Sequence, residues 1–251
     1  MIDFANMVKQ SKGPVLFSVG QAGFILKSSS GQLLGIDLYL SNCVEQLEGH
    51  VGFKRLLPEI LSPNELIFDV VICTHPHYDH FDVDSIPEIM QNGSKLFASV
   101  DCKKLVHQLR MEKQEDRITY VRPGDHCRCG DFDLIFVDCD HGEGAPDAFG
   151  VIIKVDGKVL YEVGDSCLRL DRVNEIPKPI DVLMGPINGM YGNMNEIEMI
   201  QLSEAIQPEL TIPCHYGMFA SHGGDLKAFY DIATKKNIKF LIMQQGEMLP
   251  L

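Results

Sequence analysis

The chain has 251 residues, with 22 Lys+Arg against 35 Asp+Glu and a formal net charge of −13 at pH 7. An apolar share of 45%, a charged share of 23% and a mean hydropathy near zero describe a globular chain and exclude disordered, collagen-like and simple coiled-coil classes. The acidic balance argues against long nucleic acid and anionic membrane surfaces as partners.

Short β-branched or aromatic runs bounded by Gly, Pro and Asn predict strands over 15–19, 23–27, 33–37, 66–74, 95–100, 118–121, 132–137, 150–155 and 158–163. Apolar residues at i, i+3 and i+4 predict helices over 83–91, 101–112, 195–205 and 225–235, with Asp101 and Asn195 or Asn193 as N-caps and Pro208 as a stop. Asp156-Gly157 between two strand-like runs reads as a tight hairpin turn. Strands cluster, give way to strand–helix units, and then repeat that order, which suggests two sheets facing each other with helices outside. No linker, repeat or low-complexity segment divides the chain, so a single domain over 1–251 is expected.

No apolar run approaches the roughly 18 residues a membrane span needs, and the start lacks a basic segment followed by an apolar one, so a cytoplasmic setting is expected. The 8 cysteines are too sparse and irregular for a disulfide scaffold and read as reduced, mostly buried thiols. Cys127 and Cys129 form a CxC pair with no second pair at zinc-finger spacing. His50, His107 and His126 have no partner in sequence and read as surface residues. Arg169 and Arg172, close after Asp165, are the best local positive charges for a phosphate, but with Asp171 between them a solvated, charge-balanced face is the expected role.

The most informative stretch is Thr74-His75-Pro76-His77-Tyr78-Asp79-His80, directly after the apolar run ending at Cys73. Imidazoles at i and i+2, with a proline stiffening the backbone between them, can converge on one ion, and Asp79 with His80 can face a second. Such His and carboxylate donors suit zinc, manganese or iron better than calcium or magnesium.

His75-x-His77-x-Asp79-His80 resembles the signature of the metallo-β-lactamase superfamily, whose fold is an α/β four-layer αββα sandwich. The rest of that pattern is filled in order by Asp37 after Leu34-Gly35-Ile36, His141 after Asp138-Cys139-Asp140, Asp165 after Val163-Gly164, and His215 after Ile212-Pro213-Cys214. Gly20-Gln21-Ala22-Gly23-Phe24, Ala145-Pro146-Asp147-Ala148 and Ile212-Pro213-Cys214-His215 look like the branch holding L-ascorbate-6-phosphate lactonase and related metal-dependent hydrolases.

The resemblance implies two divalent ions, manganese or zinc. One would be held by His75, His77 and His141, the other by Asp79, His80 and His215, with Asp165 bridging. It further implies a metal-bridging hydroxide that attacks an ester-like carbonyl, with Asp79 as the catalytic residue that orients the nucleophile and passes a proton to the leaving alkoxide. Asp37 is expected to accept a hydrogen bond from the non-ligating nitrogen of a loop histidine. Gln21, Asn188, Tyr191 and His222 are candidate substrate contacts.

The expected substrate is a lactone or ester of a small polar molecule, with a phosphorylated sugar acid as one form. The alternative is a phosphodiesterase on a small phosphodiester or phospholipid headgroup. A scaffold protein without catalysis would be expected to have lost donors, and none is missing. Nucleic-acid and membrane partners are not expected, and self-association is left open.

Overall fold

The structure, a computed structural model, describes residues 3–251. It contains two mixed sheets. Strands β1 (Val15–Gly20), β2 (Gly23–Lys27), β3 (Leu33–Ile36), β4 (Val70–Cys73), β5 (Lys95–Ser99), β6 (Ile118–Val121) and the terminal β13 (Met248–Pro250) form one, in the order β13-β1-β2-β3-β4-β5-β6. Strands β7 (His126–Cys129), β8 (Phe132–Asp138), β9 (Phe149–Val155), β10 (Lys158–Glu162), β11 (Val182–Pro186) and β12 (Leu210–Cys214) form the other, in the order β12-β11-β10-β9-β8-β7. Helices α1 (Phe4–Gln10), α2 (Cys43–Glu48), α3 (Ser85–Gln91), α4 (Lys103–Gln108), α5 (Glu196–Ile206) and α6 (Leu226–Lys235) complete the elements used below.

The layers follow from the residue pattern. In β8, Phe132, Leu134 and Phe136 alternate with half-buried residues, so one face enters a core shared with Leu16, Phe24, Ile36, Phe97, Val151, Leu160 and Ile212 of both sheets. A second cluster joins the outer face of the first sheet to α1, α3 and α4 through Val8, Phe17, Ile86, Ile89 and Val106. A third joins the second sheet to α5 and α6 through Ile152, Leu183, Met199, Ile200 and Phe229. The chain therefore has the αββα arrangement expected from its sequence.

The hairpin at Asp156-Gly157 forms with both residues at positive φ, 50° and 77°, and pairs Lys158 with Val155. Asn195 caps α5 in a reciprocal capping box with Glu198. Three expectations need correction. The strand expected over 66–74 begins at Val70, because its parallel partner β3 starts at Leu33 and the register sets Leu34 opposite Val70. The helix expected over 101–112 is only Lys103–Gln108, since Arg110 turns left-handed (φ 54°) just beyond it. Asp101 is not the N-cap: Ser99 accepts the Asp101 N–H, while the Asp101 carboxylate accepts the N–H of Asp147.

β8 and β10 run alike, as do β10, β11 and β12, and β3 and β4 are parallel in the other sheet. The loops after β3, β4, β8, β10 and β12 carry Asp37, the His75–His80 cluster, His141, Asp165 and His215. Among the described residues, no helix is long and apolar enough to cross a membrane.

Candidate metal centre

Three donor groups meet in these loops. His75, His77 and His141 form one, Asp79, His80 and His215 another, and His75, His80 and Asp165 a third between them, with ligand atoms within 4.8 Å of one another in each. His77 Nδ1 lies 3.0 Å from Nε2 of both His75 and His141. His80 Nε2 and His215 Nε2 are 3.2 Å apart. Asp165 Oδ2 is 3.1 Å from His215, 3.4 Å from His80 and 4.0 Å from His141, so one carboxylate oxygen reaches both histidine sets. Asp165 Oδ1 is buried without a protein partner.

The donors are oriented from behind. Asp37, fully buried, accepts the Nδ1–H of His80 (2.7 Å), the N–H of Thr74 (2.8 Å) and the Thr74 hydroxyl (2.6 Å). Thr74 Oγ1 lies 3.1 Å from His75 Nδ1 and can accept its N–H, since the hydroxyl proton is already given to Asp37. The Asp37–Thr74 pair thus fixes the tautomers of His75 and His80 with both Nε2 atoms turned inward. Asp37 has the partner its sequence position suggested; Thr74 was missed, and its place directly before His75 was the available signal.

Backbone strain is concentrated here. Gln21 (φ 55°), Asp37 (φ 44°), Tyr191 (φ 58°) and His215 (φ 61°) are left-handed without being glycine. Such conformations cost about 1–3 kcal/mol each and persist only where the surrounding structure holds them. The His215 N–H donates to the Gln21 carbonyl at 2.8 Å, tying the β1–β2 turn of one sheet to the end of β12 in the other.

The electrostatics match a cationic guest. Burial, reinforced by neighbouring His80, holds His75 well below the ordinary imidazole range, and burial pushes His141 down to about 4. Both are neutral, as ligands must be. For His215, burial opposes protonation but Asp165 and Asp79 outweigh it and raise the imidazole to about 9. Burial also disfavours charge on Asp79 and Asp165, yet the adjacent His80 and His215 hold both carboxyls well below their usual range. Buried, ionised carboxylates among converging imidazole nitrogens fit divalent transition-metal ions by donor chemistry and spacing.

The group opens into a cleft of about 680 Å³. His77, Asp79, His141 and Asp165 reach it from the metal side, and Val44, Phe53, Tyr78, Tyr191 and His222 form an apolar and aromatic wall. His222 packs against His215 with ring centroids 4.5 Å apart, and Phe53, Tyr191 and His222 lie 5.4–5.6 Å from one another. Among the described residues, Lys104 is the only Lys or Arg in the lining, which also includes Glu48 and Asp101.

Of the four candidate substrate contacts, Tyr191 and His222 line the cleft. Gln21 is buried, its amide on Asp79 at 2.8 Å. Asn188 faces inward instead, accepting from the Asn193 amide and bracing the loop, and is not in the lining. Phe53, Tyr78 and Lys104 were not anticipated: Phe53 and Lys104 stand in no chemical motif, and Tyr78, within the histidine motif, occupies a position the motif leaves open.

Arg169 and Arg172 lie elsewhere, lining a cavity of about 430 Å³ beside β8 and β10. Arg169 is paired with Asp140 and Asp171, and Arg172 with Asp138, so neither offers a free cation to the cleft. Cys127 and Cys129 pack at the inter-sheet core, and all 8 cysteines are free. His126 pairs with Asp133 at the surface.

A four-layer sandwich with this donor set at one end is the arrangement of a metal-dependent hydrolase. The description "Beta-lactamase superfamily domain" matches residues 39–216, well over half the chain, and the protein belongs to that superfamily in its metallo-β-lactamase form. A UPF0173 metal-dependent hydrolase of Thermococcus kodakarensis is 28% identical over 229 residues, covering 81% of this chain and 97% of the relative. One of Pyrococcus abyssi is 26% identical over 244 residues, covering 93% and 97%. In fold, the chain is similar to Igni18, a metallo hydrolase of Ignicoccus hospitalis (TM-score 0.70, 22% identity, 94% and 97% covered). It is also similar to the metallo-beta-lactamase fold protein YhfI of Bacillus subtilis (TM-score 0.68, 16% identity, 94% and 98% covered).

Proposed function

We propose that the chain is a dinuclear metal-dependent hydrolase acting on a lactone or ester of a small molecule. The observation that carries this reading is the convergence of seven donors, His75, His77, Asp79, His80, His141, Asp165 and His215, beside one cleft. His75, His77 and His141 would hold one ion, Asp79, His80 and His215 the other, and Asp165 would reach both. When bound, two manganese or zinc ions supply Lewis acidity and bring the pKa of water they hold from about 15.7 towards about 7.

The remaining work falls to the chain. Asp79 belongs to the second donor group and also lines the cleft, so its carboxylate can orient the attacking water and pass a proton to the leaving oxygen. His222, Phe53 and Tyr191 continue outward from His215 and bear on the part of the substrate next to the scissile bond. The cleft volume suits a small molecule. The net charge of −13 disfavours a nucleic acid, while two bound divalent ions would leave the centre able to attract a small anionic substrate. Eight free thiols agree with a reducing, cytoplasmic setting.

The test is a panel of lactones and esters, with and without a phosphate, run beside bis-p-nitrophenyl phosphate on protein loaded with manganese or zinc. Hydrolysis of a lactone or ester is expected. Preference for the phosphodiester would replace this reading with the phosphodiesterase, and no bound metal with no turnover would defeat both.

A further inference from the structure

The side chain of Gln21 touches the donors yet has no part in the scheme above. It is 4% exposed, sits in the turn between β1 and β2, and holds a left-handed backbone flanked by Gly20 and Gly23. A carboxylate accepts only, so the amide atom 2.8 Å from Asp79 Oδ2 is the NH₂ donor. That oxygen is also the one facing the other donors, 3.4 Å from His215 Nε2 and 3.6 Å from His80 Nε2. The same amide nitrogen is 3.2 Å from His215 Nε2 and 3.5 Å from His222 Nδ1. The amide oxygen Oε1 is buried with no partner in the protein.

We infer that Gln21 is a positioning residue for the second metal position: its amide fixes which oxygen of Asp79 is presented there, while its backbone carbonyl anchors His215. One residue thereby controls two of the three donors, with Asp37 controlling the third. The geometry is compatible with an ion, because a carboxylate oxygen has lone pairs for both an N–H and a metal. Without the amide, Asp79 is free to rotate about its side-chain bonds, and its oxygen no longer has a preset direction. The inference rests on the two-ion reading but concerns only the second ion. The histidine group of His75, His77 and His141 makes no hydrogen bond with Gln21 and serves as an internal control.

Two variants separate the hydrogen bond from packing. Gln21→Ala removes the side chain; Gln21→Met keeps its length and volume without the N–H. Both retain the backbone bond to His215 and carry the same left-handed backbone cost. Zinc titration against a competing chelator should show the second equivalent bound roughly 10–100-fold more weakly in both variants, with the first unchanged. In cobalt-loaded protein, the visible band that grows in with the second equivalent should shift in both, and the band of the first should not.

Wild-type affinity and bands in Gln21→Met would overturn the inference, leaving Gln21 a packing residue. Equal weakening of both equivalents would overturn it too. Wild-type protein binding fewer than two zinc ions would defeat the two-ion reading itself, an outcome visible before any variant is made.

Discussion

Replacing Asp37 by Asn tests how much the buried carboxylate does through charge alone. Asn has the same shape and tolerates the left-handed backbone at this position (φ 44°), so turn and packing are preserved. Asp37 accepts three hydrogen bonds, at 2.8 Å from the Thr74 N–H, 2.6 Å from the Thr74 hydroxyl and 2.7 Å from His80 Nδ1–H. Asn offers only one accepting oxygen. If that oxygen stays on the Thr74 N–H, the new NH₂ faces His80 Nδ1, which must then accept; the ring proton moves to Nε2, the atom that looks toward Asp79, Asp165 and His215. If the amide turns the other way, NH₂ meets the Thr74 N–H, and a buried donor is orphaned at a cost of about 1–3 kcal/mol. The first arrangement spares that cost and removes the ligating lone pair, so the expected loss is roughly 10–100-fold in affinity for the second metal equivalent, about 1.4–2.8 kcal/mol. Metal analysis with chelator competition measures it, and thermal melting of the same samples shows that the fold is retained. Two equivalents bound with wild-type affinity in Asp37→Asn would refute the argument that Asp37 sets the His80 tautomer.

His77→Ala should remove one metal equivalent and abolish hydrolysis. Because His77 is exposed on the cleft and not part of the core, the melting temperature of the metal-free protein should move little; a large drop would contradict that placement. Glu162 gives a pH test. Burial, and after it the nearby Asp37, hold its carboxyl well above the ordinary value, although the Gly164 N–H and His80 pull the other way and Asp165 adds to the rise. The native state therefore keeps a proton that the unfolded chain has released, and this group's contribution to stability falls as pH rises from the ordinary carboxylate value toward the folded one. Glu162→Gln, a neutral isostere, should gain on the wild type as denaturation is measured from about pH 5 to about pH 8. A difference that is flat or shrinks with pH would refute the sign.

Much of the site was legible in the sequence because metal ligation is a chemical demand on residue type. His75, His77, Asp79 and His80 lie within six residues, and a strand ending at Cys73 delivers them to one loop, so their convergence needs little tertiary information. The distant donors His141, Asp165 and His215 each follow a strand, and it was their match, in order, to the metallo-β-lactamase pattern that assigned them to the same site. The hairpin at Asp156-Gly157 and the cap at Asn195 were equally local, since turn and cap chemistry is set by a few adjacent residues.

What the sequence could not supply were contacts between groups far apart in the chain with no motif to mark them. Asp101 has the residue type of a helix cap, but Asp147, brought beside it by the fold, takes the carboxylate. Asn188 has the type of a substrate contact, but Asn193 turns it inward. Gln21 reaches Asp79 across 58 positions through the strand order of the first sheet and ties to His215 across 194 only because the two sheets face each other. The aromatic wall of Phe53, Tyr191 and His222 comes from three separate loops, and although Tyr191 and His222 were candidate contacts, nothing in the sequence set them beside Phe53. The sequence by itself determined which residues are candidate donors and the chemistry such donors would allow, because those depend on side-chain type. Only the tertiary structure decided how the donors are aimed and what the cleft admits, because those depend on distances between segments that share nothing but the fold.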